Sequence, residues 1–367
     1  MDLVILANSK FSIDLLKALC KVNTGNVLFS PLSISSALGL VLLGAKNNTA
    51  EQMYTTLRFN HEHIIYHDLY EELYKGGNNR SLKLVNRMFG ERTLEFKDDF
   101  LDQCEEWCLA SLRTADFKTN PEAARERINN WVAKKTEQKI QNFLDKGDVK
   151  EDTSLVLISA VHFMDKWVEP FKMNEDKGVK WPMMSRMDTF PLGKIPHRQY
   201  HLATEAQILE IPYANDDLSM LIILPNQSDG LQQLVESITY GKLQEWTEPD
   251  NMIPTKVDAR IPIFKLQENY DLENVLKTLG TTDVFDEKCD LSGMAPGPLK
   301  LPKVVHKCSV EVSEKGTVAD AGTGGVVKTN ERVESFVADH PFLFFIRHNP
   351  TKSIIFWSRF ISPIPIN

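Results

Sequence analysis

The sequence predicts an α+β fold, with helices concentrated in its first part and strands in the rest. Before about residue 150 the apolar residues recur at helical spacing, and after it they gather in short runs rich in β-branched, leucine and aromatic side chains. Several of these runs are apolar on both faces, so their sheets must be covered on both sides. No linker-like stretch, composition break or internal repeat divides the chain, which predicts one domain over residues 1–367.

Helix signals are clearest near the N-terminus and around residue 120. The capping-box spacing of Thr49 and Gln52 predicts the start of one helix, and Asn120 followed by Pro121 predicts the start of another. The periodic or uniformly apolar segments that indicate further helix are residues 1–7, 11–19 and 34–43.

Strand signals follow after residue 150. Each predicted strand is a short run of β-branched, leucine and aromatic residues. These runs are residues 155–163, 218–224, 342–346 and 353–360.

Composition excludes several classes of function. Hydrophobic residues make up 42% and charged residues 25% of the chain, which is enough for a sizeable core and excludes a disordered or collagen-like chain. The formal net charge of −8 leaves no basic footprint for phosphates, so we expect no nucleic-acid partner. No run approaches the roughly 18 apolar residues that span a bilayer, so we expect no membrane partner either.

The N-terminal residues suggest a location inside the cell. Residues 1–7 have no basic n-region, and their apolar run is too short for the core of a signal peptide. We therefore expect a cytoplasmic protein, with non-classical export as an option. The three N-x-S/T sequons at Asn47, Asn79 and Asn226 keep a secreted alternative open, should a leader precede this sequence.

No catalytic or metal-binding motif is present in the sequence. There is no G-x-S-x-G elbow, P-loop or H-E-x-x-H motif, and the glycine-rich residues 322–327 lack the context of a phosphate loop. His63 and His67 are one helical turn apart, as are Cys104 and Cys108, but surface histidines and buried thiols explain both pairs better than a metal ion does. We expect no enzyme activity, no metal and no cofactor.

A series of motifs, in order along nearly the whole chain, resembles the serpin family. The C-terminal part carries the most specific of them, and the N-terminal residues are similar to the intracellular, ovalbumin-like branch of that family. The motifs are FSPLSI at residues 29–34, NRMFG at 86–90, NWV at 130–132, LEIPY at 209–213, KVVHK at 303–307, EKGT at 314–317 and FVADHPFLFFI at 336–346.

The resemblance implies both a fold and a mechanism. The implied fold has about nine helices packed on three β-sheets, with an exposed reactive-centre loop at about residues 314–339. The implied function is suicide inhibition: a serine or cysteine protease cleaves the loop and is trapped as a covalent acyl-enzyme when the loop inserts into the central sheet. Such an inhibitor acts as a monomer and needs no catalytic residue of its own.

The residues after Gly316 fit insertion as a strand, because their side chains alternate between two faces. Asp320 fixes the parity, since in the opposite register its carboxylate would be buried without a partner. No proline lies between Glu314 and Asn330, so each backbone N–H can join a ladder. The predicted inward residues are Thr317, Ala319, Ala321, Thr323 and Gly325, and the predicted hinge is Glu314, Lys315, Gly316, Thr317, Ala319 and Ala321.

The reactive bond is predicted from the spacing that the resemblance implies. Seventeen residues counted inclusively from Glu314 place the cleaved bond between Asn330 and Glu331. Asn330 fits an asparaginyl endopeptidase. Trypsin-like enzymes would instead prefer Lys328 or Arg332, each two residues from the counted position.

The resemblance also implies a polar cluster, called the shutter, beneath the central strands. Its members would be Ser30, Ser33, Ser159 and His306. An asparagine is usual where this chain has Ser159, and a serine is expected to be unable to reproduce both amide contacts, which leaves a gap for water or a lower barrier to opening. Ordinary satisfaction of buried polar groups is the alternative interpretation of this cluster. Ser358 stands where glycine is typical, and we expect it to affect local packing alone.

A non-inhibitory serpin is the alternative interpretation. Such a protein keeps the fold but serves in binding, storage or chaperoning without loop insertion. Small residues at the hinge, beginning with Thr317, favour the inhibitor, yet small residues also occur in inert loops.

Overall fold

The structure is a computed structural model of the chain. It describes residues 1–59, 66–75, 82–108, 112–168, 189–214, 216–301, 304–312 and 334–363, without the side chains of residues 108, 189–200, 255 and 256. Within these ranges no helix combines the length and apolarity that crossing a bilayer demands.

The helices lie mainly in the first half of the described chain, as predicted. Most are short, and only the first and the sixth exceed fourteen residues. They are α1 (Asp2–Val22), α2 (Pro31–Gly44), α3 (Asn47–Thr56), α4 (His67–Tyr74), α5 (Asp98–Cys108), α6 (Pro121–Lys135), α7 (Leu231–Ser237), α8 (Tyr240–Thr247) and α9 (Glu273–Leu279), with a 3-10 turn at Asp283–Phe285.

The strands alternate with loops through the second half. Three strands also occur among the helices, two of them of only three residues. The strands are β1 (Val27–Phe29), β2 (Leu82–Glu91), β3 (Arg113–Ala115), β4 (Leu155–Phe163), β5 (Thr189–Leu202), β6 (Ala206–Pro212), β7 (Leu218–Pro225), β8 (Ile253–Pro262), β9 (Phe264–Asp271), β10 (Val304–Val312), β11 (Glu334–Val337), β12 (Phe342–His348) and β13 (Ser353–Phe360).

The predicted elements are confirmed at most positions. Strand β4 spans the predicted residues 155–163, and β13 spans the predicted residues 353–360. Helix α6 begins at Pro121 with Asn120 as its N-cap, although the Asn120 side chain makes no capping hydrogen bond. All nine residues of β4 are buried, which fits the prediction of strands covered on both faces.

The capping box predicted at Thr49 and Gln52 is wrong. Helix α3 already begins at Asn47, so both side chains lie within the helix. The Thr49 hydroxyl accepts a hydrogen bond from the Asp290 N–H, at 2.9 Å. Gln52 binds the backbone N–H groups of Thr282 and Asp283. Contacts more than 200 residues away along the chain therefore take the place of the local cap.

Hydrogen bonding joins the described strands into two sheets, where the resemblance implied three. A five-stranded sheet has the order β3-β2-β4-β10-β9, and an eight-stranded sheet has the order β1-β13-β12-β7-β6-β5-β8-β11. The second sheet is continuous because the long β5 pairs with β6 near its C-terminal end and with β8 along most of its length. Its two groups of strands on either side of β5 therefore count as one sheet.

The five-stranded sheet lies between two apolar cores. Odd-numbered residues of β4, such as Leu157 and Val161, belong to the main core that also contains α1 and α2. Even-numbered residues, such as Ile158 and Ala160, belong to a second core formed with α6. The alternation of a strand therefore places α2 on one face of this sheet and α6 on the other.

Ser358 has a consequence beyond local packing. It is fully buried on β13, between Leu28 of β1 and Phe344 of β12. Its hydroxyl has no hydrogen-bond partner within the described part of the chain. A buried hydroxyl without a partner is unfavourable to folding.

We predict that Ser358→Ala stabilises the protein by about 1 kcal/mol, because it removes a buried unsatisfied hydroxyl. Ser12→Ala is the matched control with the opposite sign. The Ser12 hydroxyl donates to the Ser9 carbonyl and accepts from the Trp357 indole N–H, so its loss should destabilise the protein by about 1–3 kcal/mol. Urea unfolding measures both changes, and a destabilised Ser358→Ala would contradict the prediction.

Candidate functional site

The central feature of the five-stranded sheet is the contact between β4 and β10, which we call the seam. The two strands pair in parallel over seven positions, from Leu157 opposite Val304 to Phe163 opposite Val310. No strand lies between them, so the sheet is closed at this point. Strand β10 ends at Val312, directly before the segment that contains the predicted hinge.

A polar row crosses four strands of this sheet at one level. Asn86 of β2 pairs with Ser159 of β4, Ser159 pairs with His306 of β10, and His306 pairs with Tyr270 of β9. Because paired residues point to the same face, all four side chains face α2. The Tyr270 hydroxyl accepts a hydrogen bond from the Leu28 N–H at 3.2 Å.

Helix α2 supplies the hydroxyl groups that meet this row. Ser30 is its N-cap and accepts from the Ser33 N–H at 3.3 Å, while Pro31 occupies the first helical position, where no N–H is needed. Ser30, Ser33 and Ser36 follow at intervals of three and therefore share one face of the helix. That face lies against the row, where Ser33 and Ser36 each bond to Asn86.

The shutter residues form one directed chain of hydrogen bonds. The Ser30 N–H donates to His306 Nε2 at 3.1 Å, so the proton of the neutral ring is on Nδ1. His306 Nδ1 then donates to Ser159 Oγ at 2.8 Å, and Ser159 donates to Ser33 Oγ, also at 2.8 Å. Ser33 donates to Asn86 Oδ1 at 2.7 Å. The Ser30 N–H thus fixes which group donates and which accepts in every hydrogen bond of this series.

Burial keeps the His306 ring neutral. The side chain is fully buried, and desolvation lowers its pKa from 6.5 to about 3. A protonated ring could not accept the Ser30 N–H. The hydrogen bond from the Ser30 N–H therefore requires the neutral histidine.

Of the possibilities open for Ser159, the structure shows ordinary satisfaction of a buried polar group. Ser159 contacts both Ser33 and His306 at 2.8 Å, so no gap for water separates these partners. The physical reason is that a hydroxyl both donates and accepts, and here it accepts on the His306 side and donates on the Ser33 side.

Asn86 also belongs to this cluster, although it is not among the shutter residues predicted from the sequence. Its amide donates to the Ser33 carbonyl at 3.0 Å and to the Ser36 hydroxyl at 2.7 Å. Ser36 also bonds to the Tyr70 hydroxyl, which ties α4 to the cluster. The sequence held a signal for Asn86, since it is a polar residue at the start of the NRMFG motif in a strand, but only the strand register places it beside Ser159.

The remaining predicted site residues lie outside the described residues. This applies to the reactive positions Lys328, Asn330, Glu331 and Arg332 and to the hinge from Glu314 to Ala321. Of the predicted functional residues, the structure brings together Ser30, Ser33, Ser159 and His306.

Hydrogen bonds of the polar cluster join β4 and β10 to each other and to α2. Across the described ranges, no three histidine, cysteine or acidic side chains are placed to hold a metal ion. Burial raises the pKa of the Cys104 thiol to about 12, which makes it a poor nucleophile. The shutter polar atoms bond to one another across the seam. What this arrangement can do is hold two strands together until the hydrogen bonds across them break.

Comparison with known proteins gives one consistent answer. A sequence model of the family described as "Serpin (serine protease inhibitor)" matches residues 6–363. Serpin B9 of Homo sapiens is 44% identical, over 97% of this chain and 98% of its own length. The leukocyte elastase inhibitor of Sus scrofa is 40% identical, over 99% and 100% of the two chains.

Solved structures agree with the sequence comparisons. A crystal structure of maspin superposes with a TM-score of 0.91 at 30% identity and covers 99% of each chain. The structure of uncleaved ovalbumin gives a TM-score of 0.87 at 31% identity and covers 98% of this chain and all of its own. The fold expected from the resemblance is thereby confirmed.

We predict that acid destabilises the protein partly through His306. Between pH 6.5 and 3 the unfolded chain binds a proton that the folded protein excludes, so the free energy of unfolding should fall as pH falls below about 6.5. At pH 4.5 the loss should be about 2–3 kcal/mol relative to pH 7. His306→Asn should flatten the dependence on pH of the free energy of unfolding, measured with urea. Parallel pH profiles for this variant and the unmodified protein would contradict the prediction. His162→Asn measures the separate contribution of the second histidine of low pKa, at about 4.

We predict that Ser159→Ala destabilises the protein by about 2–4 kcal/mol, since it leaves the His306 donor and the Ser33 acceptor buried without their partner. Ser154→Ala, one residue before the same strand and half-buried, is the control and should change stability by less than about 0.5 kcal/mol. Urea unfolding measures both. Equal effects would show that Ser159 does not link the cluster.

Proposed function

Because this chain belongs to the serpin family, we propose that it is a suicide inhibitor of serine or cysteine proteases. The observation that carries the proposal is the closed parallel seam, with the predicted hinge starting directly after its second strand. The names of relatives such as the leukocyte elastase inhibitor support a protease as the partner. In this function the protein is not an enzyme.

The geometry of the seam fits one inserted strand. A chain that turns back at the end of β10 would run antiparallel to β10, and since β9 already fills the other side, it would enter between β10 and β4. One parallel pair would then become two antiparallel pairs, which are slightly more stable for each residue. The predicted insert from Thr317 to Gly325 has nine residues, as do β4 and β10.

The two cores explain why the parity of the insert matters. Side chains of an inserted strand would alternate between the main core beneath α2 and the second core beneath α6. The predicted inward residues are all small, which suits the tightly packed side of the shutter. Asp320 would then face the α6 side.

Trapping follows from the distance that insertion covers. The protease nucleophile would attack the carbonyl of Asn330, forming an ester or thioester there and releasing the new N-terminus at Glu331. Nine inserted residues at about 3.3 Å each carry the acyl-enzyme about 30 Å along the seam. A displacement of about 1 Å within the catalytic groups of the protease is enough to slow deacylation.

The proposal includes a cytoplasmic, monomeric protein. The Asn47 amide donates to the Asp290 carboxylate at 2.7 Å and Thr49 is buried, so in the folded protein this sequon is engaged in a structural contact. Secretion after a separate leader is the alternative.

A non-inhibitory serpin is the second candidate function. Two of the similar solved structures are those of uncleaved ovalbumin and of a tumour suppressing serpin, and neither is named for a protease. Such a protein would keep the seam closed after cleavage of its loop. Cleavage would then change neither its stability nor that of the protease.

We predict an SDS-stable complex with at least one protease of a panel that includes leukocyte elastase, an asparaginyl endopeptidase and a trypsin-like enzyme. Ala319→Arg should abolish the complex and leave cleavage intact, since its charge would be forced into the main core. Ala319→Ser, which keeps a small side chain at the same position, is the matched control and should retain the complex. Gel electrophoresis detects the complex for each variant, and thermal unfolding of the cleaved protein shows whether the loop has inserted.

Mass spectrometry of the released C-terminal peptide then locates the bond. A new N-terminus at Glu331 supports the counted position. A new N-terminus at Thr329 or Val333 would instead place the cleaved bond after Lys328 or Arg332. Cleavage by every protease without complex or thermal stabilisation would overturn the inhibitory function in favour of the second candidate.

A further inference from the structure

The face of the five-stranded sheet that packs against α6 carries an arginine stacked on a tryptophan. The guanidinium carbon of Arg87 on β2 lies 4.3 Å from the centre of the Trp131 ring on α6. The Phe89 ring meets the same tryptophan edge-on, with ring centres 5.7 Å apart. Cation–π attraction holds the guanidinium on the indole, and the edge contact with Phe89 orients the indole in turn. Arg87 therefore has a defined orientation in the protein alone.

Two more arginines lie at the same place, one on β3 and one on α6. Arg113 is exposed and pairs with Phe89, so its side chain leaves the sheet on the α6 face. Arg127 is exposed one helical turn before Trp131, and its guanidinium donates to the Thr114 carbonyl of β3 at 2.8 Å. We call this group the arginine corner; its members are Arg87, Arg113, Arg127 and Trp131.

No carboxylate of the described residues forms an ion pair with an arginine of this corner. The acidic side chains nearby along the chain have other partners. Glu91 of β2 accepts hydrogen bonds from three backbone N–H groups, and the Asp116 carboxylate lies 3.3 Å from the Arg92 guanidinium. Glu126 is within electrostatic reach of Arg125. The arginine corner is therefore a concentration of positive charge without a counter-charge.

The charge of Arg87 is unfavourably placed in the protein alone. The side chain is half-buried, and its Nε–H is enclosed without a hydrogen-bond partner among the described residues. Burial, and then the neighbouring charge of Arg113, lower the pKa of Arg87. A carboxylate bound at the corner would supply the missing counter-charge and offset both effects.

We propose that the arginine corner is a docking surface for a short acidic segment of another protein. Guanidinium groups bind carboxylates through paired hydrogen bonds, and three of them can hold two or more acidic side chains. The whole chain has a formal net charge of −8, so a long polyanion such as nucleic acid would be repelled beyond the corner. A short acidic segment needs to contact only the corner.

Binding at this surface does not depend on protease inhibition. Strand β3 is the edge strand of its sheet and lies three positions from β10, the strand that leads to the predicted hinge. A partner at the corner would therefore leave the predicted loop accessible.

Fluorescence anisotropy of a labelled hexaglutamate peptide, titrated with the full-length protein at low salt, tests the proposal. Arg87→Gln/Arg113→Gln should weaken binding about ten- to hundredfold, because two charge-assisted contacts are lost. Arg58→Gln/Arg260→Gln is the matched control, since it makes the same change in net charge at arginines already paired with aspartates. The control should keep the affinity within about twofold, because salt screens charges far from the bound peptide.

Two further variants separate a built site from general charge and from misfolding. Arg113→Lys keeps the charge without the planar fork and should weaken binding about two- to fivefold. Arg113→Gln/Arg127→Gln changes two exposed side chains and leaves the Arg87 contact with Trp131 in place, so it should fold normally and still weaken binding about tenfold or more. Thermal unfolding verifies that each variant is folded.

A hexaglutamate peptide that does not bind, or that binds the corner variants as tightly as it binds the control, would overturn the proposal. Two competitors test the class of partner. Inorganic phosphate or a single-stranded DNA oligonucleotide that binds more tightly than the peptide, and is lost in the same variants, would assign the corner to phosphate groups and overturn the acidic segment. Weaker binding of both competitors supports it.

Discussion

The parallel contact between β4 and β10 is the constraint on which the rest of the structure depends. Apart from the short β2–β3 contact, every other pairing in this sheet is antiparallel. Parallel ladders are slightly less stable for each residue, so the seam is the place where the sheet gains most from a new strand. It nevertheless has to stay closed beforehand, which requires the elements on both faces to hold the two strands together.

The two faces hold the seam by different kinds of interaction. Beneath α2 the contact is a buried hydrogen-bond chain through Ser159 and His306, in which each polar group has a partner. Such a chain strengthens contacts inside an apolar core but tolerates no missing member. On the α6 face, Glu137 and Lys139 make partly exposed ion pairs with β2 and β10, which are individually weak and sensitive to salt.

Membership in the serpin family gives this arrangement its significance. A seam that stays closed until a protease cleaves the adjoining loop is what the proposed suicide inhibition requires, whereas the second candidate function would keep the same seam closed after cleavage. Relatives named as a leukocyte elastase inhibitor share about two fifths of their residues with this chain over almost its full length. The proposed function therefore requires a sheet that is stable yet can accept one more strand.

The sequence by itself determined the fold class and the bounds of β4 and β13, because these depend on local periodicity and on the faces of single strands. The parity of the predicted insert stays a prediction. Ser30, Ser33, Ser159 and His306 were also predicted, through resemblance. Only the tertiary structure decided the rest. Asn86 joins the cluster through strand register, and Ser159 bonds to two partners because α2 approaches it closely. Thr49 and Gln52 bond to residues more than 200 positions away along the chain instead of capping α3. Such contacts join distant segments, and no local pattern of residue types records which segments will meet.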